Sequence, residues 1–251
     1  MRPASDVFWK GCVAISPGIG VFTGTSGDNA PHRHWAHQLT IGLEGSVEVK
    51  NNTRTVQSQG VFIPANCAHQ LEKARILSLY IDPTDVLASH FLADVVTHTE
   101  VVPLPTNLLR AVTNIFSTSC GLNQQLVLLR QHFLGSATPE IDPRFIKVMG
   151  YLHLHLLEPE RVSRTNLARL IAMSDGRFSH WFEECAGIPL RSYKKWLRLV
   201  AGIQYVLHGA GYTTAAHSAS FSDHAHFTRT FVEAFGIRPS TALNQISSRF
   251  E

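Results

Sequence analysis

The C-terminal part of the sequence repeats a set of apolar, acidic and glycine positions at an interval of 49 residues. Phe178, Phe182, Glu184, Gly187 and Ile188 recur as Phe227, Phe231, Glu233, Gly236 and Ile237. Shared offsets of this kind predict one small helical unit that is built twice. Each copy has the pattern of a short helix, a tight turn and a second helix that ends at a glycine, which is the layout of a helix-turn-helix. Two such units in tandem favour contact with double-stranded DNA over catalysis.

The charge is unevenly distributed along the chain. Residues 1–141 carry nine Lys or Arg and ten Asp or Glu, a net of −1, whereas residues 142–251 carry 13 and nine, a net of +4. The basic half contains the repeat, as contacts with phosphate groups require. The sequence has no run of about 18 apolar residues, so no membrane contact is expected. Its four cysteines are scattered, which predicts neither a disulfide framework nor a zinc knuckle and favours the cytoplasm.

The N-terminal half has the pattern of a small β domain followed by helices. Short β-prone runs separated by Gly, Asn and Pro between about residues 12 and 82 predict an antiparallel barrel or sandwich. Helical periodicity follows over residues 84–135, and one stripe consists of Leu122, Leu126, Leu129 and Phe133. That stripe is typical either of an amphipathic helix packed on its own barrel or of a dimer interface.

The C-terminal half predicts a series of capped helices. Asp142-Pro143 is typical of a helix start, Ser174 is expected to cap residues 175–186, and Ser222 to cap residues 223–234. A long helix over residues 189–208 is expected to connect the two copies of the repeat. About 20 residues span roughly 30 Å, close to the roughly 34 Å of one DNA turn. The connection therefore suits two recognition helices in successive major grooves.

The second helix of each copy presents small and polar residues away from its apolar face. We predict that the DNA-contacting residues are Arg177, Ser179 and His180 in the first copy and His224, Ala225, Thr228 and Arg229 in the second. These exposed positions differ between the copies, although the apolar ones agree. An asymmetric target is therefore expected for each chain.

These segments resemble the AraC/XylS family of bacterial transcription regulators. The resemblance is carried by Leu167-Ala168, Leu197-Arg198-Leu199, Phe221-Ser222-Asp223, the run from Phe227 to Phe231, and Gly236-Ile237-Arg238-Pro239. It implies binding to promoter DNA, control by an effector, contact with RNA polymerase and a homodimer. The family usually has Gly-Phe before the second recognition helix, where this chain has Ser220-Phe221. We expect that difference to stiffen or shift the turn.

Histidines cluster in the predicted barrel. Strand alternation places His32, His34 and Gln38 on one face, and His69 follows after a turn. The pattern resembles the paired motifs of cupins, whose three histidines and one glutamate bind a divalent metal, but Gln38 replaces the glutamate. Three interpretations remain open: a divalent transition metal held by His32, His34 and His69, a polar effector pocket that includes Gln38, or structural histidines in the core.

Together these features predict an α+β chain of two domains. Residues 1–138 are expected to form a cupin-like domain for effector sensing and dimerisation, and residues 139–251 an all-α DNA-binding domain with two helix-turn-helix units. The predicted function is effector-controlled transcription regulation, without enzymatic activity. The alternatives are a cupin-type metal-dependent enzyme with a helical appendage, and a DNA-binding protein whose barrel is merely structural.

Overall fold

The computed structural model describes residues 9–93, 95, 99–134 and 141–248. The chain forms two compact units: the first contains residues 1–137 and 231–251, and the second contains residues 138–230. The boundary at residues 230 and 231 falls within the predicted DNA-binding domain. The functional division at residue 138 therefore stays a prediction.

The first unit is mostly β-sheet. Its strands are β1 Lys10–Ser16, β2 Ile19–Thr25, β3 His37–Gly42, β4 Val47–Asn51, β5 Thr55–Ser58, β6 Gly60–Ile63, β7 His69–Leu71, β8 Arg75–Ile81, β9 Val102–Pro103 and β10 Ile246–Ser248. One sheet has the order β10-β1-β2-β8-β3-β6-β9, and the other has the order β5-β4-β7. The pairs are antiparallel apart from β1 with β10. The predicted combination of a sheet-rich N-terminal region and a helical C-terminal region is confirmed.

Strand β3 is buried along its whole length but has two chemically different faces. Leu39 and Ile41 join an apolar cluster of the first unit. Successive side chains of a strand point to opposite faces, so Gln38 and Thr40 share the other face of β3. Thr40 lies opposite Ser78 of β8 in the strand register. The first unit therefore has a polar row beside its apolar core.

Three helices pack against the same apolar core. They are α1 Val86–Phe91, α2 Thr106–Phe116 and α3 Leu122–Leu134. Leu126 and Leu129 of α3 are only 1% and 0% exposed and belong to the same apolar cluster as the sheet residues. The ring of Phe133 lies 4.3 Å from that of Phe91, measured between centroids. Of the two interpretations of the α3 stripe, packing on its own domain is the one observed.

The second unit is helical. Its helices are α4 Pro143–His155, α5 Arg164–Leu170, α6 Asp175–Ala186, α7 Leu190–Leu207 and α8 Tyr212–Ser218, followed by residues 224–230 of α9 His224–Phe235. The repeated phenylalanines Phe178, Phe182 and Phe227 are completely buried. Burying one such side chain contributes about 1.5–3 kcal/mol. Among the described helices, none has both the length and the apolar character needed to cross a bilayer.

The N-terminal caps agree with the sequence patterns at some helices and correct them at others. Asp142 caps α4 as predicted. Ser174 occupies the N-cap of α6 but makes no side-chain hydrogen bond there. At α9 the prediction of Ser222 is wrong, because Asp223 accepts a 2.6 Å hydrogen bond from the backbone N–H of His226. Asp223 directly precedes the helix, so its carboxylate reaches the third helical N–H, whereas Ser222 lies one position too early.

The turns between α5 and α6 and between α8 and α9 each contain a residue other than glycine in the left-handed backbone region. Ala172 follows α5 with φ 55°, and Ser220 follows α8 with φ 59°. At both turns the next N–H bonds back into the preceding helix over 2.9 Å, from Met173 and from Phe221, as in a Schellman motif. The Ser220 hydroxyl also donates a 3.0 Å hydrogen bond to the carbonyl oxygen of Leu157. The serine thus fixes this turn through a contact that a glycine cannot make.

The C-terminal segment of the chain belongs to the first unit. After α9 it forms α10 Pro239–Leu243 and then β10, which pairs in parallel with β1. The N–H of Ala30 donates to the carbonyl oxygen of Gly236 over 2.9 Å, and that of Arg33 donates to Glu233 over 3.3 Å. Strand β10 is absent from the sequence-based prediction, because Ile246-Ser247-Ser248 has no strand pattern of its own.

Candidate functional site

Three predicted histidines of the first unit lie close together. His32 and His69 form an isolated β-bridge, with N–H to carbonyl distances of 2.9 and 2.8 Å. The rings of His32 and His69 are 4.3 Å apart between centroids, and that of His34 lies 5.1 Å from His69. One potential ligand atom from each of the three lies within 4.8 Å of the others. We call His32, His34 and His69 the histidine triad.

Backbone carbonyl groups hold the Nδ1 side of each triad ring. In each ring, Nδ1 forms a hydrogen bond with a backbone carbonyl group two residues away along the chain. The carbonyl groups are those of Ala30, Ala36 and Cys67, at 3.0, 3.0 and 2.9 Å. A carbonyl oxygen only accepts, so neutral His32 and His69 carry their proton on Nδ1 and have their lone pair on Nε2. His34 faces oxygen atoms through both of its ring nitrogens.

A buried row of polar groups continues from the triad into the sheet. His34 Nε2 lies 2.9 Å from Gln38 Oε1, and the Gln38 amide donates to Thr40 Oγ1 over 2.7 Å. Thr40 Oγ1 lies 2.8 Å from Ser78 Oγ. His34 and Gln38 are each 2% exposed, and Thr40 and Ser78 are fully buried. Sequence reasoning identified Gln38 but missed Thr40 and Ser78, although a lone serine in the apolar run of β8 is a usable signal.

Burial keeps the triad histidines neutral. Removal from solvent, followed by the nearby His34, lowers the pKa of His32 to about 4. Burial lowers the pKa of His34. Burial, and then the charges of His32 and His34, holds the pKa of His69 well below its ordinary value. Neutral imidazole is the form that binds metal ions.

Two aromatic side chains of the first unit lie against His34. The Tyr80 ring is 5.3 Å from His34 and that of Phe235 is 6.1 Å from it, both between centroids. Tyr80 and Phe235 also contact each other edge to face at 6.2 Å. Burial raises the pKa of Tyr80, which therefore stays uncharged. Neither residue could be assigned from its sequence position, since each reaches the triad only through the fold.

His37 and Cys67 lie outside the triad. His37 Nδ1 accepts a 3.1 Å hydrogen bond from the N–H of Ala65, and its ring stacks on Phe62 at 5.5 Å. The Cys67 thiol lies 3.8 Å from the carbonyl oxygen of Ala68. Across the described residues, the candidate ligand group consists of the triad histidines alone. Cys67 contributes its backbone carbonyl group, and not its sulfur, to the contacts of the triad.

The predicted DNA-contacting residues of the first copy lie on α6. Arg177 and His180 are exposed, and Ser179 is half-buried. The Ser179 hydroxyl donates to the carbonyl oxygen of Asp175 over 3.2 Å. Phe178 and Phe182 occupy the buried face of the same helix. Arg177 and His180 are thus the side chains of this set that extend into solvent.

The corresponding residues of the second copy lie in the first part of α9. His224, Ala225 and Arg229 are exposed, and Thr228 is half-buried. His224 Nε2 lies 3.2 Å from the Thr228 hydroxyl, so these two side chains hold each other on the helix surface. The fold presents this set at the helix surface, and its contact with DNA stays a prediction.

Two basic residues of α7, Lys194 and Arg198, are half-buried and therefore poorly placed to contact DNA phosphates. Lys194 donates a 2.9 Å hydrogen bond to the carbonyl oxygen of Val162. Burial, and then the neighbouring Arg198, lowers the pKa of Lys194. Arg198 is itself half-buried, and burial lowers its pKa. Lys194 is therefore neither solvated nor a free phosphate contact, because its ammonium group supports the α7 packing.

Comparisons with known proteins bear on both units. Residues 167–245 match the family described as "Helix-turn-helix domain". Comparison with curated protein sequences gives no match. Structures of ToxT from Vibrio cholerae are similar in fold. Wild-type ToxT with a bound unsaturated fatty acid has a TM-score of 0.58 and 10% identity, over 92% of this chain and 98% of ToxT.

A second ToxT structure gives the same result. ToxT from Vibrio cholerae O395 has a TM-score of 0.56 and 10% identity, over 90% of this chain and 96% of ToxT. At this identity the similarity concerns the fold. The helix-turn-helix match confirms the resemblance that the repeat carries. The chain therefore has a C-terminal helix-turn-helix domain of the AraC type, in a fold similar to that of ToxT.

Proposed function

We propose that this protein is a transcription regulator that binds promoter DNA sequence-specifically and responds to an effector in its N-terminal domain. The observation that carries the proposal is the helix-turn-helix match over residues 167–245, with the predicted contact residues at the surface of α6 and α9. Such a protein needs no catalytic group, and none is assigned.

The two helix-turn-helix units are proposed to read different sequences. Arg177 and His180 of the first copy correspond by offset to His226 and Arg229 of the second. An arginine in the major groove pairs with guanine edges, whereas smaller side chains select other bases. Helix α7 has 18 residues, a length of about 27 Å. That length favours successive major grooves on one side of the duplex.

The effector site is proposed to be the polar cluster of the first unit formed by His32, His34, Gln38 and His69. Its residues come together in the fold and are largely buried, as a small ligand requires. ToxT holds an unsaturated fatty acid in one of the similar structures. We propose a small-molecule or metal effector for this chain, and an active form that is a homodimer and contacts RNA polymerase. The effector must bind the DNA-competent and incompetent states with different affinity.

The experiment compares variants on a duplex selected from a random library. Arg229→Ala is expected to weaken specific binding by about 5- to 150-fold, as removal of a base contact does, measured by fluorescence anisotropy. Arg110→Ala is the matched control, because Arg110 is an exposed arginine of α2 in the first unit. Specific affinity no better than that for random duplex would overturn the proposal. Equal effects of the two variants would remove Arg229 from the interface.

A further inference from the structure

We propose that the histidine triad binds one divalent transition-metal ion through its Nε2 atoms, and that the ion displaces Gln38 from His34. Gln38 is then a neutral hydrogen-bond partner of His34 that the ion can displace, where a cupin has a carboxylate ligand. This inference rests on the proposed function only in naming the ion as the effector. Binding of the ion can be measured without DNA.

The first argument is the orientation of the three rings. Each Nδ1 bonds to a backbone carbonyl oxygen at 2.9–3.0 Å. Histidines that ligate metals are held in this way through the nitrogen that does not bind the ion. The arrangement fixes the tautomer of His32 and His69 and leaves Nε2 as the ligand atom of each. His34 offers the same atom once its Nε2 leaves Gln38. Three rings anchored alike are difficult to explain by packing alone.

The triad contains a buried polar atom that has no hydrogen-bond partner in the described part of the chain. His69 Nε2 has no hydrogen-bond partner among the described residues, and His69 is only 2% exposed. Buried polar atoms are normally paired, and an exception requires an explanation. An ion between the three rings would bind this lone pair.

The third argument concerns the type of ion. Within the described part of the chain, the cluster of possible ligands contains three imidazoles and no carboxylate. Mg²⁺ and Ca²⁺ prefer oxygen ligands, whereas imidazole suits Zn²⁺, Cu²⁺, Ni²⁺ and Fe²⁺.

Gln38 makes the site reversible. His34 Nε2 lies 2.9 Å from Gln38 Oε1, and the Gln38 amide nitrogen donates to Thr40. Gln38 therefore holds His34 through a neutral hydrogen bond that an ion can replace. Ligands of a tetrahedral zinc ion lie about 3.4 Å apart, since each bond is about 2.0–2.1 Å. One ring nitrogen of each triad histidine lies within 4.8 Å of the others. Binding through Nε2 requires His34 to leave Gln38.

The test uses the full chain without a histidine tag, stripped of metal by a chelator. We expect Co²⁺ to bind at one ion per chain with visible absorption typical of nitrogen ligation, and Zn²⁺ to displace it. His69→Ala is expected to lose at least tenfold in Zn²⁺ affinity, measured by competition with a chromophoric chelator. His132→Ala is the matched control, because His132 is an exposed histidine of α3 in the same unit and should bind as the wild type does.

Gln38→Glu supplies the missing carboxylate and is expected to tighten Zn²⁺ binding at least tenfold, with a larger thermal shift on adding zinc. His32→Ala replaces His69→Ala if circular dichroism shows that the latter is unfolded. Equal Zn²⁺ affinity in wild type and the folded triad variant would overturn the proposal. Specific DNA binding without metal binding would contradict this inference alone, and metal binding without DNA binding would contradict only the regulatory function.

Discussion

Two single residues in the helix-turn-helix turns have the same backbone conformation but different support. Ala172 and Ser220 are both left-handed, yet only Ser220 has a side-chain hydrogen bond, to Leu157. The left-handed region costs a residue with a Cβ about 1–2 kcal/mol. Glycine avoids this cost but has more freedom in the unfolded chain.

Ala172→Gly is therefore expected to stabilise the second unit by about 0.5–1 kcal/mol, measured by urea denaturation. The methyl group of this exposed alanine has no compensating role. A loss of stability would show that Ala172 makes contacts that the fold does not indicate.

Ser220→Gly is expected to change the free energy of unfolding by less than about 0.5 kcal/mol. The relief of the left-handed backbone is offset by the lost hydrogen bond to Leu157, which contributes about 1 kcal/mol. The same denaturation experiment compares the two variants. If both glycine variants gained the same stability, the Ser220 hydroxyl would contribute nothing to the free energy of unfolding.

The buried histidines predict a specific dependence of stability on pH. Burial, and then the nearby His34, lowers the pKa of both His32 and His37 to about 4, whereas the unfolded value is about 6.5. The stability that these neutral histidines contribute is fully present above pH 6.5. It is lost as the pH falls towards 4, because the unfolded chain then binds more protons than the folded chain.

We expect the free energy of unfolding of the metal-free protein to fall by about 1 kcal/mol per pH unit for each such histidine between pH 6.5 and 4.5. His32→Gln should reduce the slope, measured by urea denaturation at several pH values. A flat profile over this range, or an unchanged slope in the variant, would contradict neutral burial.

At the scale of the site, sequence spacing indicated which residues lie close together but not the hydrogen bonds that hold them. Strand alternation indicated His32, His34 and Gln38, and the structure places all three in one buried cluster with His69. The carbonyl groups that hold the rings were not predictable, since they depend on turns between strands. Phe235 reaches His34 from a distant part of the sequence, so no local pattern indicates that contact.

At the scale of elements, the two glycines that end the repeated helices have different surroundings. Gly187 and Gly236 have φ values of 67° and 70°. A Cβ added to Gly187 meets nothing within 4 Å, whereas one added to Gly236 would lie 2.1 Å from the carbonyl oxygen of Ala30 in the first unit. Gly187→Ala thus provides a control for backbone strain alone.

Gly187→Ala is expected to cost about 1–2 kcal/mol, and Gly236→Ala about 2–4 kcal/mol, because steric overlap adds to the same backbone strain. Thermal unfolding compares the two variants, and amide exchange at Ala30 reports whether its hydrogen bond to Gly236 weakens. Equal costs and unchanged exchange would show that the contact between Ala30 and Gly236 is absent in solution.

Helices were predictable where periodicity and caps agreed. The long helix α7 and the glycine that ends α6 follow directly from the sequence. The α3 stripe was ambiguous, since an apolar stripe does not reveal what covers it. Strand β10 was missed, because its pairing with β1 is fixed by the path of the chain and not by local propensity.

At the scale of the whole molecule, effector control requires the two units to be energetically coupled. The boundary between them falls inside α9, whose first part carries the predicted DNA-contacting residues. The segment that carries His32 and His34 is hydrogen-bonded to the C-terminal residues of the first unit. We expect binding of the ion at the triad to act on this C-terminal segment.

We expect zinc-loaded and metal-free protein to differ at least about five-fold in affinity for a selected duplex. His69→Ala should abolish the difference and His132→Ala should retain it, both measured by fluorescence anisotropy. Equal affinities with and without zinc, in a protein that binds both zinc and DNA, would show that the ion is structural and not an effector.

We propose that the two helix-turn-helix units of one chain read different DNA sequences in successive major grooves. Selection of duplexes from a random library by the purified full chain measures this. We expect two unlike sequence elements about 10–10.5 base pairs apart, with Arg177→Ala relaxing one element and Arg229→Ala relaxing the other. A single element, two identical elements, or no enrichment over the starting library would contradict it.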